Sequence, residues 1–197
     1  IQAVTRVLPD IPQVGVFDTA FHSNMQPKAY LYGIPYELYK RHQIRRYRFH
    51  GTSHRFVAGI AAKKLGKHKE ELKIVTAHLG NGCSMAAIDM GTSIDTSMGF
   101  TPLEGLLMGT RCGDIDTSII LHVMGKEGLQ LSEANTLLNK HSGLVGISGE
   151  SSDMREIIAA MKEGHKRSRY AFEVFCYRIT KYIGAYAAAM GGIVALV

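Results

Sequence analysis

The chain is poor in several residue types that mark particular classes of protein. Its 197 residues include no tryptophan, five prolines and three cysteines. Cys83, Cys112 and Cys176 show no C-x-x-C spacing, and their odd number favours reduced thiols over a disulfide framework. No apolar run approaches the roughly 20 residues that span a membrane, and no basic and then apolar segment precedes a cleavage site. The sequence therefore predicts a cytoplasmic location and no membrane partner.

Acidic residues are also fewer than basic ones, 17 against 23, which gives a formal net charge of +6. The excess lies in Lys40–Arg48 and Lys162–Arg169, which we interpret as solvated faces. A nucleic-acid surface would need interleaved aromatic side chains or a recognition helix, and only Tyr47 and Phe49 suggest one. A basic surface equally suits the attraction of a small polyanion. We predict no nucleic-acid partner.

The sequence resembles a piece of a longer protein. It has no initiator methionine, and it stops inside an apolar run, residues 192–197, that is typical of a strand and has no partner after it. The 46% hydrophobic content is still sufficient for a substantial core.

Two short apolar runs, residues 74–76 and 86–88, flank a glycine-rich turn at Gly80–Gly82. This pattern predicts a β-hairpin whose turn residues tolerate positive φ. A turn with two glycines leaves its amide groups uncovered, so that they can surround a phosphate. A plain hairpin turn is the alternative. The polar residues His78 and Ser84 beside the turn favour the phosphate site.

A second candidate residue, Asp18, follows the apolar run Val14–Phe17. We interpret that run as a buried strand, and functional carboxylates often stand at the carboxyl end of such a strand. A cap for the next turn is the alternative role for Asp18.

His50 lies just before a predicted helix, for which Thr52 or Ser53 is the expected N-cap. A helix N-terminus suits anions. His50 and His54 are four residues apart, as in zinc-binding helices. The glutamate of H-E-x-x-H is absent and His50 precedes the helix, so we predict no zinc site.

Arg111 stands between Gly109 and Gly113 on a loop that must bend sharply, which predicts a positioned guanidinium. A surface salt bridge is the alternative.

Further patterns predict a third strand at 92–97, helices capped by Asp114 or Asp116, by Ser132 and by Ser152 or Asp153, and a long helix Arg169–Met190. This order of elements predicts a layered α/β fold.

Five strings of residues resemble those of the acetate kinases and the closely similar propionate kinases, in the family's order and spacing. They are VFDTAFH (16–22), RYRFHGTSH (46–54), AHLGNG (77–82), MGTRCGDID (108–116) and SGLVGISGESSDMRE (142–156). The resemblance extends over nearly the whole chain, and several long motifs together are far more specific than one glycine pattern.

The resemblance implies an actin-like, sugar-kinase-like ATPase fold (ribonuclease H-like). In this α/β fold a mixed β-sheet is flanked by helices, and nucleotide binds between two related domains. Residues 1–21 would end the first actin-like domain. Residues 22–197 would form most of the second domain, which binds nucleotide and dimerises, truncated at its C-terminus.

The resemblance also implies roles for individual residues. Asp18 matches the acid/base position, and His50 and Arg111 match two stabilisers of the transition state. The residues that match the hairpin around the nucleotide phosphates are His78, Leu79, Gly80, Asn81 and Gly82. The residues that match the adenosine contact are Asp153, Met154 and Arg155. Phe49 and Pro102 match parts of the pocket for the acyl chain.

The implied ligands are ATP or ADP, Mg²⁺ and a short-chain carboxylate, and the implied assembly is a homodimer. No residue of this chain matches a metal ligand. In the family, the asparagine that contacts Mg²⁺ and the arginine that binds the substrate carboxylate lie upstream, with a further histidine. A second glycine-rich loop and a glutamate linked to Mg²⁺ lie downstream. Cys83 and Met85 depart from the family's small hairpin residues, and we expect both to face the core.

The implied reaction is the reversible transfer of the γ-phosphoryl group of ATP to acetate, which gives acetyl phosphate and ADP. A carboxylate with a pKa of about 4–5 is already ionised at neutral pH. We therefore expect Asp18 to orient Mg²⁺ through water or to keep Arg111 in place. The alternatives are a propionate or butyrate kinase, a sugar kinase in which Asp18 is a base, a non-catalytic nucleotide-binding module and a nucleic-acid binder.

Overall fold

A computed structural model describes the whole chain, residues 1–197. The helices are α1 (Gln2–Val7), α2 (Pro27–Tyr30), α3 (Tyr36–His42), α4 (Gly51–Lys64), α5 (Thr117–Glu127), α6 (Leu131–Lys140), α7 (Gly143–Ser148), α8 (Met154–Lys162) and α9 (Lys166–Met190). Short 3-10 helices occur at Ala20–His22 and Lys69–Glu71. The strands are β1 (Lys73–Leu79), β2 (Cys83–Asp89), β3 (Thr92–Thr96) and β4 (Ala195–Leu196). None of the helices has both the length and the apolar character that crossing a membrane requires.

The four strands form one mixed sheet in the order β3-β2-β1-β4. β1 and β2 pair antiparallel from Lys73↔Asp89 to Leu79↔Cys83, as the predicted hairpin requires. β3 continues the antiparallel meander, and the predicted third strand is confirmed. β4 returns after the helices and pairs parallel with β1, so the C-terminal apolar run is paired along one side.

The alternation of side chains along β1 and β2 buries both faces of the sheet, since successive residues point to opposite faces. On one face, Ile74, Ala86 and Ile88 pack with Ala58 and Ala62 of α4. On the other face, a second core forms between the sheet and α9. Its members are Val75, Cys83, Met85, Ala87, Met98, Leu106, Met108, Tyr186 and Met190. Cys83 and Met85 therefore face the core, as expected.

The N-termini of the helices confirm some predicted caps and correct others. Asp116 caps α5 and Asp153 caps α8, each through a carboxylate that accepts a backbone N–H. Ser132 is not a cap, because α6 begins at Leu131 with a capping box between Gln130 and Glu133. The long α9 begins three residues earlier than predicted.

At α4 the prediction of Thr52 or Ser53 as N-cap is wrong. His50 occupies the N-cap position, with φ of 57° and no side-chain cap hydrogen bond. Asp18 supplies the missing acceptor from outside the helix, because its Oδ2 accepts the N–H of His50 at 2.6 Å. The Asp18 carbonyl accepts the N–H of Gly51 at 2.8 Å. The cap role considered for Asp18 therefore applies to α4, not to the turn that follows it in sequence.

The predicted buried strand at Val14–Phe17 is wrong. Residues 12–17 have no regular structure, and the side chain of Phe17 is 73% exposed. No strand of the chain lies beside this segment, and an apolar run without a hydrogen-bonding neighbour does not form a stable strand.

The basic segment Lys40–Arg48 is not uniformly a solvated face. Arg46 Nη1 donates to the carbonyls of Thr96–Met98 at 3.1–3.2 Å, and its Nη2 pairs with Glu104 at 2.5 Å. Arg48 is only 2% exposed, and burial lowers the pKa of its guanidinium to about 10. The side chain of Arg46 therefore ties the segment to the loop after β3.

Candidate active site

The tip of the β1–β2 hairpin is a three-residue turn, Gly80–Gly82, whose glycines serve a different need from the one predicted. Neither Gly80 nor Gly82 has a positive φ. A Cβ added at Gly82 would instead lie 3.2 Å from Arg111 Nη1 and 3.6 Å from His50 Cε1. Glycine is needed here for close approach, and the turn touches both predicted transition-state stabilisers.

Asp18 contributes its carboxylate to the start of α4 rather than to the arginine. No ion pair of the structure joins Asp18 to Arg111, so the contact expected between them is absent. The two hydrogen bonds that Asp18 accepts from the backbone N–H groups of residues 50 and 51 fix the left-handed backbone at His50. This backbone directs the imidazole of His50 toward the hairpin.

The imidazoles of His50 and His78 stack, with ring centroids 4.0 Å apart and planes at 22°. His50 Nδ1 lies 2.8 Å from Ser84 Oγ, and His78 Nδ1 lies 2.9 Å from Ser53 Oγ. Burial lowers the pKa of His50 below its usual 6.5, and the nearby His78 and Arg111 act in the same direction. The neutral imidazole of His50 therefore predominates at pH 7.

Two further histidines lie behind this pair and were not among the predicted site residues. His54 Nδ1 is 2.7 Å from Thr76 Oγ1, and its Nε2 is 2.7 Å from Ser84 Oγ. His22 Nδ1 lies 2.7 Å from Ser93 Oγ, and its Nε2 lies 3.3 Å from the carbonyl oxygen of Phe49. Burial lowers the pKa of His54 to about 3 and that of His22 to about 4. The four-residue spacing from His50 is the sequence signal for His54, whereas His22 has none.

Arg111 is held by neutral groups and has no carboxylate partner. Its Nη1 donates to the carbonyl of Pro102 at 3.1 Å and lies 3.7 Å from Met108 Sδ. No ion pair of the structure includes it, so the salt-bridge alternative is wrong. Gly113 has φ of 68°, which lets the loop turn back on itself. The positive charge of Arg111 thus stays available to an anion beside the turn.

A cavity of about 360 Å³ joins the hairpin tip to the start of α8. Its lining residues are Leu79, Gly80, Asn81, Cys83, Gly109, Leu144, Ser152, Asp153, Met154 and Phe175. Gly109 N donates to the Asn81 carbonyl at 3.1 Å, which holds the arginine loop against the turn. Three of the five residues predicted for the phosphates and two of the three predicted for adenosine therefore share one cavity, whereas His78, Gly82 and Arg155 do not line it.

The three residues predicted for the adenosine contact differ in their surroundings. Met154 and Asp153 line the cavity, whereas the side chain of Arg155 is 90% exposed and pairs with Asp153 at 2.5 Å. Hydrogen bonds from the side chain and the backbone of Arg155 lower the pKa of Asp153 to about 2. Asp153 is thus an anion that orients the first turn of α8.

Pro102 adjoins the predicted catalytic residue Arg111 through its backbone carbonyl, whereas the carbonyl of Phe49 contacts His22, which is not a predicted catalytic residue. The Phe49 carbonyl faces His22, and its ring packs against the core between the sheet and α9. The Pro102 carbonyl holds Arg111. No three His, Cys, Asp or Glu side chains converge on a point that could hold a metal ion.

Known proteins resemble this chain in sequence and in fold. The acetate kinase of Halothermothrix orenii is 58% identical over 197 residues, which are 100% of this chain and 50% of that protein. The crystal structure of Porphyromonas gingivalis acetate kinase superposes with a TM-score of 0.96 at 51% identity and covers 99% of this chain and 49% of that one. A propionate kinase from Francisella tularensis gives 0.94 at 45% identity, over 99% and 50% of the two chains.

The chain thus spans about half the length of the relatives that it matches. These likenesses confirm the predicted fold class, an actin-like α/β fold with a mixed sheet between helices. The model of the Acetokinase family matches residues 1–197. The chain belongs to the Acetokinase family.

Proposed function

We propose that the full-length protein containing this chain transfers the γ-phosphoryl group of ATP reversibly to acetate, giving acetyl phosphate and ADP. The observation that supports this best is the meeting of Arg111, His50 and Gly82 at the hairpin tip. A guanidinium without a carboxylate partner and a positioned imidazole meet there at Gly82, which has no side chain to exclude a phosphate.

The chemistry of the acceptor fits these two groups. An acetate ion has no proton to lose at neutral pH, so phosphoryl transfer to it depends on positioning and on charge neutralisation. Arg111 and His50 would donate hydrogen bonds to the equatorial oxygens of the phosphoryl group in flight, where negative charge accumulates. Asp18, whose carboxylate is bound to the His50 amide, would fix the position of the imidazole.

Nucleotide would occupy the cavity between the hairpin and α8. The segment His78–Gly82 would hold the phosphates, and Asp153 and Met154 would contact adenosine. Arg155 is assigned a supporting role through its ion pair with Asp153. For Mg²⁺ the chain offers no convergent set of ligands, so we assign it no metal ligand and derive no step through the ion.

Propionate is the second candidate acceptor, because the propionate kinase of Francisella tularensis is 45% identical to this chain. Phe49 and Pro102 would form part of the acyl pocket. Pro102 contacts Arg111 by its backbone carbonyl and the Phe49 ring packs against the core, so the length of the acyl chain would be selected mainly by side chains outside this segment.

We also propose a domain boundary and an assembly. Residues 1–21 would end the first domain, and residues 22–197 would form most of the second. A cytoplasmic homodimer would form through the second domain, where α5 has no buried residue and exposes Ile119 and Leu121.

An acyl-hydroxamate assay of the full-length protein, with ATP, Mg²⁺ and carboxylates of increasing length, tests the activity. Acetate should give hydroxamate with the highest kcat/KM, and propionate should follow. Phosphorylation of a sugar hydroxyl with no hydroxamate from any carboxylate would overturn the proposal. ATP binding without any phosphoryl transfer would overturn it as well.

A further inference from the structure

Four side chains beside the candidate site form one continuous series of hydrogen bonds, which we call the Thr76–His50 chain. Thr76 Oγ1 lies 2.7 Å from His54 Nδ1, and His54 Nε2 lies 2.7 Å from Ser84 Oγ. Ser84 Oγ then lies 2.8 Å from His50 Nδ1. Thr76, His54 and Ser84 are completely buried, whereas His50 is partly exposed at the site.

The fold explains why these residues meet. Thr76 and Ser84 point to the α4 face of the sheet, the same face as Ile74 and Ala86, because side chains alternate along each strand. His50 and His54 are four residues apart at the start of α4, so they share the side of the helix that covers this face.

The protons in the Thr76–His50 chain can be counted. Each hydroxyl donates one hydrogen bond, and each neutral imidazole donates through one nitrogen and accepts through the other. If Thr76 donates to His54 Nδ1, then His54 Nε2–H donates to Ser84. Ser84 in turn donates to His50 Nδ1, which places the proton of His50 on Nε2.

The opposite direction leaves one buried proton without an acceptor. His50 Nδ1–H would donate to Ser84, Ser84 to His54 Nε2, and His54 Nδ1–H to Thr76. The only side-chain hydrogen bond of Thr76 is the one to His54, so its hydroxyl proton would then have no acceptor in a fully buried position. An orphaned buried donor of this kind reduces the population of a state by about 5- to 150-fold. A third arrangement, with both imidazoles donating to Ser84, leaves the Ser84 proton without an acceptor instead.

We propose that Thr76, His54 and Ser84 are positioning residues that fix His50 in the Nε2–H form, so that its neutral imidazole presents a hydrogen-bond donor to the transferring phosphoryl group. The catalytic half of this inference rests on the proposed function, whereas the position of the proton does not. Nε2 is the nitrogen that faces the hairpin, 3.7 Å from the Cβ position of Gly82.

The surroundings of His50 explain why such a device is needed. On β1, His78 stacks on its ring, and on the loop after β3, Arg111 lies at the same turn. The carboxylate of Asp18 contacts the backbone of His50, and His54 lies on its own helix. Of these groups only Asp18 favours a cationic His50. A neutral imidazole with a lone pair on Nε2 would repel phosphoryl oxygens. The Thr76–His50 chain disfavours that form of His50.

Nitrogen NMR of the ligand-free, full-length protein with ¹⁵N-labelled histidine tests the position of the proton directly. Two-bond ¹H–¹⁵N spectra distinguish the Nε2–H from the Nδ1–H form of a neutral imidazole, and a His50→Gln spectrum identifies the signal. We expect His50 as Nε2–H near pH 7.5. A signal of the Nδ1–H form would overturn the proposal without any variant having to fold.

Two variants at Thr76, the buried end of the Thr76–His50 chain, test whether this residue controls the position of the proton on His50. Thr76→Val removes the hydroxyl that sets the direction and should give a mixture of both forms at His50, whereas Thr76→Ser should keep the Nε2–H form. Thr96→Val is the matched control. Thr96 on β3 has a buried hydroxyl that donates to the Met85 carbonyl and is not part of the Thr76–His50 chain. An unchanged His50 signal in folded Thr76→Val would overturn the proposal.

Kinetics then test the catalytic half. At pH 8, Thr76→Val should lower kcat in proportion to the fraction of His50 that has left the Nε2–H form, about twofold for an equal mixture, and should leave the KM for ATP unchanged. The difference in kcat between Thr76→Val and the wild type should become smaller toward pH 6, because a cationic imidazole donates through both nitrogens. An equal loss of kcat at every pH would indicate a merely structural effect and would refute the catalytic part of the proposal. If the full-length protein phosphorylates no carboxylate while His50 still shows the Nε2–H form sensitive to Thr76→Val, the proposed function fails and the hydrogen-bond chain stands.

Discussion

Replacing Gly82 by valine in the full-length protein tests whether close approach governs the hairpin turn. A Cβ at this position would lie 3.2 Å from Arg111 Nη1, a few tenths of an ångström too close, and 3.6 Å from His50 Cε1. The two methyl groups of valine extend about 1.5 Å further, so the guanidinium or the imidazole must move by about 1 Å. The φ of Gly82 is not positive, so the backbone accepts valine without strain.

A displacement of about 1 Å at a catalytic group lowers the rate roughly 10²-fold, and we expect that loss in the kcat of Gly82→Val. Affinity for ATP should also fall, because a side chain would stand where amides approach phosphate, whereas the KM for acetate should hardly change. Gly82→Ala requires a smaller shift and should lose less than about tenfold in kcat.

Gly59→Ala is the matched control, because no atom lies within 4 Å of its added Cβ on the same helix that positions His50. This control should keep kcat and gain about 0.5–1 kcal/mol in the free energy of unfolding. The reasoning is refuted if Gly82→Val keeps the kcat and ATP affinity of the wild type. Equal losses of affinity for ATP and acetate would show that the turn is only structural.

Two further predictions concern stability, each measured by chemical denaturation of the full-length protein. Arg46→Met leaves the part-buried Glu104 without its ion pair and should lower the free energy of unfolding by about 3–5 kcal/mol; a loss below about 1 kcal/mol would contradict this. The pKa values of His22 and His54 are lowered to about 4 and about 3, so the unfolded chain binds more protons below pH 6.5 and stability is lost as the pH falls toward 4. Each histidine should contribute a slope of about 1.4 kcal/mol per pH unit, and a flat profile between pH 7 and 5 would be incompatible with both values.

Local patterns were sufficient for much of the fold. The apolar runs around Gly80–Gly82 predicted the hairpin, and the pattern at 92–97 predicted the third strand. The capping residues Asp116 and Asp153 marked two helix starts. These features depend on neighbours within a few residues, which the sequence shows directly. The run Val14–Phe17 failed for the opposite reason, because a strand requires a partner that no local pattern supplies.

The site was predicted as a set of residues but not as a set of contacts. The resemblance to the kinases named Asp18, His50 and Arg111, whereas the structure shows that Asp18 anchors the His50 amide and does not touch Arg111. The hydroxyl of Ser84 between two imidazoles depends on the register of β1 and β2 and on the side that α4 presents to the sheet. Register and helix rotation are tertiary properties, so spacing alone could not reveal this contact.

The most direct test of the account compares Arg111→Ala and Arg111→Lys with the wild type in the full-length protein, with kcat and the KM for ATP measured separately. Arg111 has no carboxylate partner and lies beside the glycine turn, so its charge should act chiefly on the transferring phosphoryl group. Arg111→Ala should lower kcat by about 10³- to 10⁵-fold with a much smaller change in the KM for ATP. Arg111→Lys should recover little, because an ammonium group cannot bind two oxygens as the planar guanidinium does. A steep rise in KM with kcat preserved would show that Arg111 binds the ground state and would contradict the central claim.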